Sequence, residues 1–326
     1  MSFSKTVTLP VPPDEAFALV TQPERLRRWK TVSAYVDLRA GGEYRWTITP
    51  GHVAAGTFRE IEPGRRVVYG WGWEGSDDLP PDASTVTVTI EPDAAGSRVT
   101  LEHDGLSEEQ AKMHAEGWNH YLERLVRLAT SGDAGPDEWD LVPDPLTPVT
   151  AADAALAALQ PVLRNVKDGD LSRPTPCADF TCEALVDHLL GSFAQLAAMA
   201  GRQISVPQEG PIEDRVSVAA AQTIDAWRSV DLDGRVPGPG GTAMPASFLA
   251  GVLPIEMLLH GWDLAQSSGQ PLLVSDEVVD YVRGLAESVV PPGRSRGSFG
   301  DEVTPPEDAS PLDRLAAYAG RSPVSV

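Results

Sequence analysis

Glu256 and His260 stand four residues apart in the stretch from Pro254 to Ala265. The stretch reads as a helix. At about 100° per residue, four positions bring the carboxylate and the imidazole to within roughly 40° of each other, one turn apart on one face. Ile255, Leu258, Leu259 and Trp262 lay an apolar stripe beside that face at the spacing of a core-facing helix. A carboxylate at the margin of a buried surface is costly without a partner, and a cation would be such a partner. The other reading is a partly exposed pair that supports the helix as an i,i+4 contact. Spacing alone leaves both open.

A second imidazole belongs to the same argument. His188 lies three residues after Leu185 and one before Leu189, on or beside the buried stripe of another predicted helix. A lone histidine there is ordinarily a core residue, but helical bundles build metal sites from facing helices. His188, Glu256 and His260 would supply two imidazoles and one carboxylate. Three protein ligands leave a position for water or substrate, the arrangement of a catalytic zinc site. The same donors suit Ni²⁺, Co²⁺ or Fe²⁺. Asp263 returns to nearly the same face, either as the acceptor of a ligand imidazole N–H or as a helix-surface carboxylate. Arg294, Arg296 and Arg321 are candidate contacts for a substrate carboxylate or a thiol cofactor, on charge alone. Cys177 and Cys182 both precede or open a predicted helix, where a thiolate is favoured. Packing of Cys177 in its turn and a redox pair are the two readings.

The elements that must carry these residues are helical. Predicted helices cover residues 150–166, with Thr150 as cap and a kink at Pro161; 180–200, with Asp179 or Thr181 as cap; 214–230; 245–267; and 276–289 after Ser275. A short one covers 313–318. This predicts a bundle. The loop Pro237-Gly238-Pro239-Gly240-Gly241 lacks the preceding strand and the lysine of a phosphate-binding loop.

The first part of the chain has a different period. Tyr44, Trp46 and Ile48 alternate with polar residues, as do Val67, Tyr69, Trp71 and Trp73, then Val86, Val88 and Ile90, then Val99, Leu101 and His103. That is the pattern of antiparallel strands with one covered face. Two short helices (14–21 and 23–29) precede the sheet. A long one (107–129), capped by Ser107, follows with His114, Trp118, Tyr121, Leu122, Leu125 and Leu128 on one face. A curved sheet gripping that helix encloses space, and Tyr44, Trp46, Trp71, His114 and Trp118 would line it for a small aromatic or apolar ligand. His103 reads as structural and His52 as exposed in a turn. Residues 131–149, rich in Gly, Pro and acidic side chains, read as a linker, with Trp139 able to pin it. The division expected is 1–134, a linker at 135–149, and 150–326.

Composition bounds the functions. With 326 residues, 42% of them hydrophobic, two cores are expected. The net charge of -21 opposes nucleic-acid binding, for which a basic stripe is needed. No leading basic-then-apolar segment and no long apolar run stands out, so neither a signal peptide nor a membrane span is expected. Two cysteines make no disulfide framework, and the expected compartment is cytoplasmic. Nothing in the sequence addresses the oligomeric state.

Two resemblances add to this. Segments 16–21 and 23–29, Gly41-Gly42-Glu43-Tyr44, Leu101-Glu102-His103 and Gly117-Trp118 with Tyr121-Leu122 resemble the START-like (SRPBCC) helix-grip domains, nearest the heat-shock-protein ATPase activators. Segment 173–180, Leu185-Val186-Asp187-His188-Leu189, segment 256–265, and a tail with Phe299-Gly300, segment 311–315 and segment 320–323 are similar to the mycothiol-dependent maleylpyruvate isomerases among the DinB-like metal-binding bundles. The first resemblance implies an α+β helix-grip fold that binds small molecules. The second implies an all-α four-helix bundle with metal ligands at His188, Glu256 and His260 and a low-molecular-weight thiol, mycothiol, as cofactor. The function expected is a metal- and thiol-dependent isomerase or S-transferase acting on a small molecule. The alternative is a non-catalytic binding or resistance protein that uses the START-like pocket.

Overall fold

The computed structural model describes residues 1–178 and 180–323. The chain divides into two compact units between Glu138 and Trp139.

In the first unit, β1 (Phe3–Leu9) leads to α1 (Pro13–Thr21) and α2 (Pro23–Leu26). Six strands follow: β2 (Ser33–Val36), β3 (Glu43–Thr49), β4 (His52–Glu62), β5 (Arg66–Trp71), β6 (Ser84–Asp93) and β7 (Gly96–Asp104). The long helix α3 (Glu108–Ser131) closes the unit. The strands make one antiparallel sheet in the order β1-β7-β6-β5-β4-β3-β2. Alternation sets its inner face: Tyr44, Trp46, Val67, Tyr69, Trp71, Val86, Val88, Val99 and Leu101 are all buried. Ser107 caps α3, accepting from the Gln110 N–H, while the Gln110 side chain returns to the Ser107 N–H. Trp118, Tyr121, Leu122, Leu125 and Leu128 are the buried face of α3.

β2 and β4 carry no strong pattern in the sequence. β4 runs through Ala54, Ala55 and Gly56, which have no bulky alternation to read, and its ladders shift register near Thr47–Thr49 and Phe58–Glu60. His52 opens that strand, exposed, with its Nδ1 3.1 Å from Thr49 Oγ1. The stretch after α3 is packed at its beginning. Arg124, buried, donates to the carbonyls of Trp29, Gly135 and Pro136 and lies 3.2 Å from Asp137.

A 3₁₀ turn (Glu138–Asp140) spans the boundary, and the second unit is otherwise almost entirely helical. α4 (Pro148–Asn165) is capped by Thr147, with Pro148 at its first position and Thr150 reciprocating the cap bond; the cap is therefore three residues earlier than the sequence suggests. α5 (Cys182–Met199) is capped by Thr181, whose Oγ1 accepts from the Ala184 N–H. The other cap candidate, Asp179, lies outside the described residues. α6 (Ile212–Arg228) follows. The Gly/Pro-rich loop is the tip of a small hairpin, β8 (Arg235–Pro237) with β9 (Ala243–Pro245), which leads into α7 (Ala246–Ser268); α8 (Asp276–Arg294) and α9 (Pro311–Tyr318) complete the unit. α7 is the central helix and packs on α4, α5, α8 and α9. By length and composition α7 could cross a membrane, although no such run stood out in the sequence; in the fold most of it is buried among its neighbours.

Candidate metal centre

α5 and α7 bring three side chains together. Leu185, Leu189 and Phe193 bury one stripe of α5, and His188 stands at its edge. On α7 nearly every side is covered, so the Glu256–His260 face is turned inward as well. His188 Nε2 lies 3.3 Å from Glu256 Oε2, and His260 Nε2 lies 3.6 Å from the same oxygen. The two imidazole rings are 5.0 Å apart and nearly perpendicular. Side-chain exposure falls from 36% at His188 through 17% at Glu256 to 6% at His260, so the cluster opens outward on the His188 side. Phe180 packs its ring 5.2 Å from that of His188.

Behind His260 stands Asp263, and it is not a surface carboxylate: it is 0% exposed. Its Oδ2 is 3.0 Å from His260 Nδ1. A carboxylate only accepts, so Nδ1 carries the proton and Nε2 is directed at Glu256. Asp263 is held in turn by Arg321, whose Nε donates to both carboxylate oxygens at 3.1 and 3.2 Å. The Arg321 Nη1 donates to Ala319 O, and Nη2 lies 3.8 Å from Cys177 Sγ. Arg321 is therefore committed to the protein behind the site. Arg294 is likewise engaged, donating to the carbonyls of Gly300 and Tyr318. Arg296 is exposed. Of the three arginines, only Arg321 is joined to the cluster, through Asp263.

Burial by itself pushes the Glu256 carboxyl up, but the hydrogen bonds and charge offered by His188 and His260 outweigh it and hold the carboxyl below its usual range. For His260, burial pushes down, and the interactions with Asp263 and Glu256 overcome it and raise the imidazole. The two imidazoles thus favour the ionised form of the Glu256 carboxyl.

The donors present fit a divalent metal. Glu256 Oε2 is buried and has no hydrogen bond of good geometry, although two imidazole nitrogens face it. In a tetrahedral site with bonds of about 2.0–2.1 Å, ligand atoms stand roughly 3.3 Å apart, close to the separations here. The three ligand atoms all lie within 4.8 Å of one another. A second convergent group, Cys177, His260 and Asp263, overlaps the first. It is the poorer cation site, because Asp263 is already neutralised by Arg321 and a guanidinium beside it repels a cation. Cys177 and Cys182 are both free thiols. Cys182 is buried, and burial pushes its thiol up in spite of its place at the start of α5.

The aromatic residues of the first unit are also brought together, but against each other. Tyr44, Trp46, Trp71 and Trp118 are all buried. Tyr44 donates its hydroxyl to Gly70 O at 2.6 Å, and its ring lies 4.0 Å from that of Trp46. Trp71 and Trp73 both direct their indole N–H at His114 Nε2, at 3.1 and 3.3 Å, and His114 Nδ1 donates to Gln110 O. Trp118 donates to His103 Nδ1 at 3.0 Å; His103 Nε2 then donates to Ser84 Oγ, which donates to Trp71 O. Both imidazoles are held neutral by these donors. Burial pushes His103 down to about 3 and also lowers His114. A small cavity remains, about large enough for one water; of the five expected lining residues only Trp118 borders it, together with Trp29, Lys30 and Tyr69. Lys30 was missed in the sequence. The one signal available there was its position between Trp29 and Thr31 in a chain whose cations are nearly all arginine.

Two family models match separate parts of the chain. Residues 10–130 match the family model "Activator of Hsp90 ATPase homolog 1-like protein", and residues 152–265 match "Mycothiol maleylpyruvate isomerase N-terminal domain". The "Uncharacterized protein Rv0738" of Mycobacterium tuberculosis is 32% identical over 190 residues, which covers 55% of this chain and 98% of that protein. Among solved structures, the AHSA1-like protein RHE_CH02687 from Rhizobium etli is 37% identical, covering 45% of this chain and 88% of that one, with a TM-score of 0.35. DynU16, from the dynemicin biosynthetic locus, is 20% identical with a TM-score of 0.38; the match covers 45% of this chain and 57% of that one, little more than half its length. The chain therefore belongs to the family of that mycobacterial protein and joins a START-like domain of the Hsp90-ATPase-activator type to a DinB-like domain of the mycothiol maleylpyruvate isomerase type.

Proposed function

We propose that the chain is a metal-dependent small-molecule enzyme of the mycothiol-dependent isomerase or S-transferase type. His188, Glu256 and His260 hold one divalent cation, zinc before nickel, cobalt or iron. The observation that carries this reading is the buried Glu256 oxygen facing two imidazole nitrogens, one of them fixed by Asp263. Bound there, the cation supplies Lewis acidity that favours the thiolate of a thiol, or the hydroxide of water, at neutral pH. The protein's own residues do the rest. Asp263 sets the tautomer of His260 and keeps its Nε2 turned to the site. Arg321 holds Asp263 in place. The exposed side at His188 leaves an approach for a low-molecular-weight thiol, mycothiol in this reading, and for an electrophilic substrate.

The chemistry is assigned to the bundle because the three donor side chains converge there. The cavity of the START-like domain bordered by Lys30 and Trp118 holds about one water, too little for an aromatic ligand without rearrangement. In this proposal the first domain binds a small molecule and the protein works in the cytoplasm. Elemental analysis of untagged protein tests the reading. About one divalent metal per chain is expected in the wild type and none in His188→Ala/His260→Ala. If the double variant does not fold, Glu256→Gln serves in its place. Wild-type protein that stays metal-free after incubation with Zn²⁺, Ni²⁺ or Fe²⁺ would sink the proposal. With metal established, turnover that depends on added thiol distinguishes an enzyme from a structural site.

A further inference from the structure

Lys30 follows α2 and is anchored by its N–H to Leu26 O. It is 4% exposed. Its Nζ lies 4.1 Å from the ring centre of Trp46, 4.8 Å from Trp118, 5.1 Å from Trp71 and 6.0 Å from Trp29 and Tyr69. Among the described residues no carboxylate forms an ion pair with that nitrogen and no oxygen accepts a hydrogen bond from it. Ring faces attract an ammonium, but they replace neither its water nor a counter-charge. Burial accordingly pushes the amine well below the ordinary lysine value. The nitrogen is not sealed in dead space. Lys30 borders the small cavity of this domain with Tyr69, Val88, Leu101, Trp118 and Leu122.

We propose that Lys30 is a covalent binding group, whose Nζ takes a one- or two-carbon aldehyde into this cavity as an imine. An uncharged amine in an apolar pocket is a nucleophile. It has little attraction for an anion, and the apolar walls offer an anion nothing else. An imine suits such walls better than the ammonium does. In the step, the nitrogen lone pair attacks the carbonyl carbon, the C–N bond forms, and the carbonyl π pair moves to oxygen. Proton transfer from nitrogen to oxygen gives the neutral carbinolamine, which loses that oxygen as water and the last nitrogen proton with it. One amine and one carbonyl compound thus give one imine and one water, with no redox partner. Tyr69 borders the same cavity, and burial raises its phenol, so it holds a proton that can be lent to the leaving oxygen. The size of the cavity limits the carbonyl compound to a carbon or two. This inference is independent of the metal reading.

The test uses the whole protein and two probes, formaldehyde and acetaldehyde, with cyanoborohydride to trap the imine, followed by peptide mapping. The chain supplies its own controls, because its only other lysines are Lys5, Lys112 and Lys167. Lys112 and Lys167 are exposed. At pH 6 we expect Lys30 to be alkylated at least about tenfold faster than either, with a rate that levels off at a pH where theirs still climbs. Lys30→Met should lose the fast-reacting site and keep the other three. Should that variant fail to fold, the competition within the wild-type chain still decides. Lys30 left unmodified while the exposed lysines react, or modified with their pH dependence, overturns the proposal.

Discussion

Asp263→Asn separates two roles that one carboxylate plays in this structure. Asp263 is fully buried and pairs with two groups, accepting from His260 Nδ1 at 3.0 Å and from Arg321 Nε at 3.1–3.2 Å. Neutralising it leaves the Arg321 guanidinium, itself 6% exposed, without its anion. Removing one partner of a buried pair costs about 3–5 kcal/mol. In a unit of this size that is a fall of roughly 6–20 °C in the melting temperature. The second loss is of metal. An orienting partner behind a ligand imidazole is worth about 10–100-fold in affinity; the lower end is expected, because the asparagine oxygen can still accept from Nδ1–H. The pair Asp263→Asn/Arg321→Met completes the design. It removes the stranded charge, so most of the stability should return while the metal defect stays. Arg321→Met alone should destabilise and leave metal affinity within a few-fold, since the bond between Asp263 and His260 survives. Calorimetry reads the first quantity, and competition with a chromophoric chelator reads the second. An Asp263→Asn protein that binds metal as the wild type does would refute the role assigned to Asp263. A double variant as unstable as the single would refute the charge argument.

Three further expectations follow from other parts of the molecule. Stripping the metal with a chelator should lower the melting temperature of the bundle, by the equivalent of about 4 kcal/mol if the free ion had stood at a thousand times its Kd, and leave unfolding of the START-like domain unchanged. His103 is neutral in the fold, with its imidazole pushed down to about 3. The unfolded chain binds a proton there below about pH 6.5, so unfolding takes up a proton between the two values. Stability should therefore fall with decreasing pH by up to about 1.4 kcal/mol per unit in that window, and His103→Gln should remove one proton's worth of the slope in urea titrations run at several pH values. Gly72→Ala should destabilise by about 1–3 kcal/mol, because the added Cβ would stand 1.8 Å from the backbone oxygen of Pro80; an unchanged urea midpoint would count against that close approach.

How legible all this was in the sequence depended on the physics of each element. Helix spacing is a rigid rule, so Glu256 and His260 could be placed on one face, and the edge position of His188 on α5 followed from Leu185 and Leu189. What no spacing could say was that α5 and α7 face each other. Asp263 was readable as a neighbour of His260, but its burial depends on Arg321, 58 residues further along the chain. Arg294 looked equivalent to Arg321 by charge, yet it is spent on the carbonyls of Gly300 and Tyr318. In the sheet, strands with bulky alternation declared themselves, while β4 hid behind two alanines and a glycine. The aromatic residues announced an inner face. They did not announce whether rings would leave a hollow or fill it, because that depends on ring-to-ring packing across the sheet, as between Trp71 and Trp118 at 5.1 Å.

The central helix of the bundle carries a consequence for the newly made chain. Ala246–Ser268 is as long and apolar as a bilayer-spanning segment, and before the bundle closes its surface is bare. Glu256 lies at its midpoint and Asp263 two turns further on. A carboxylate near the centre of a segment costs its insertion about 2.5–3.5 kcal/mol. The groups gathered at the site therefore also raise the cost of lateral entry of this helix into a lipid bilayer. Exchanging Glu256 and Asp263 for leucine would do more than empty the centre: it would remove that cost from a helix already long and apolar enough to span a bilayer.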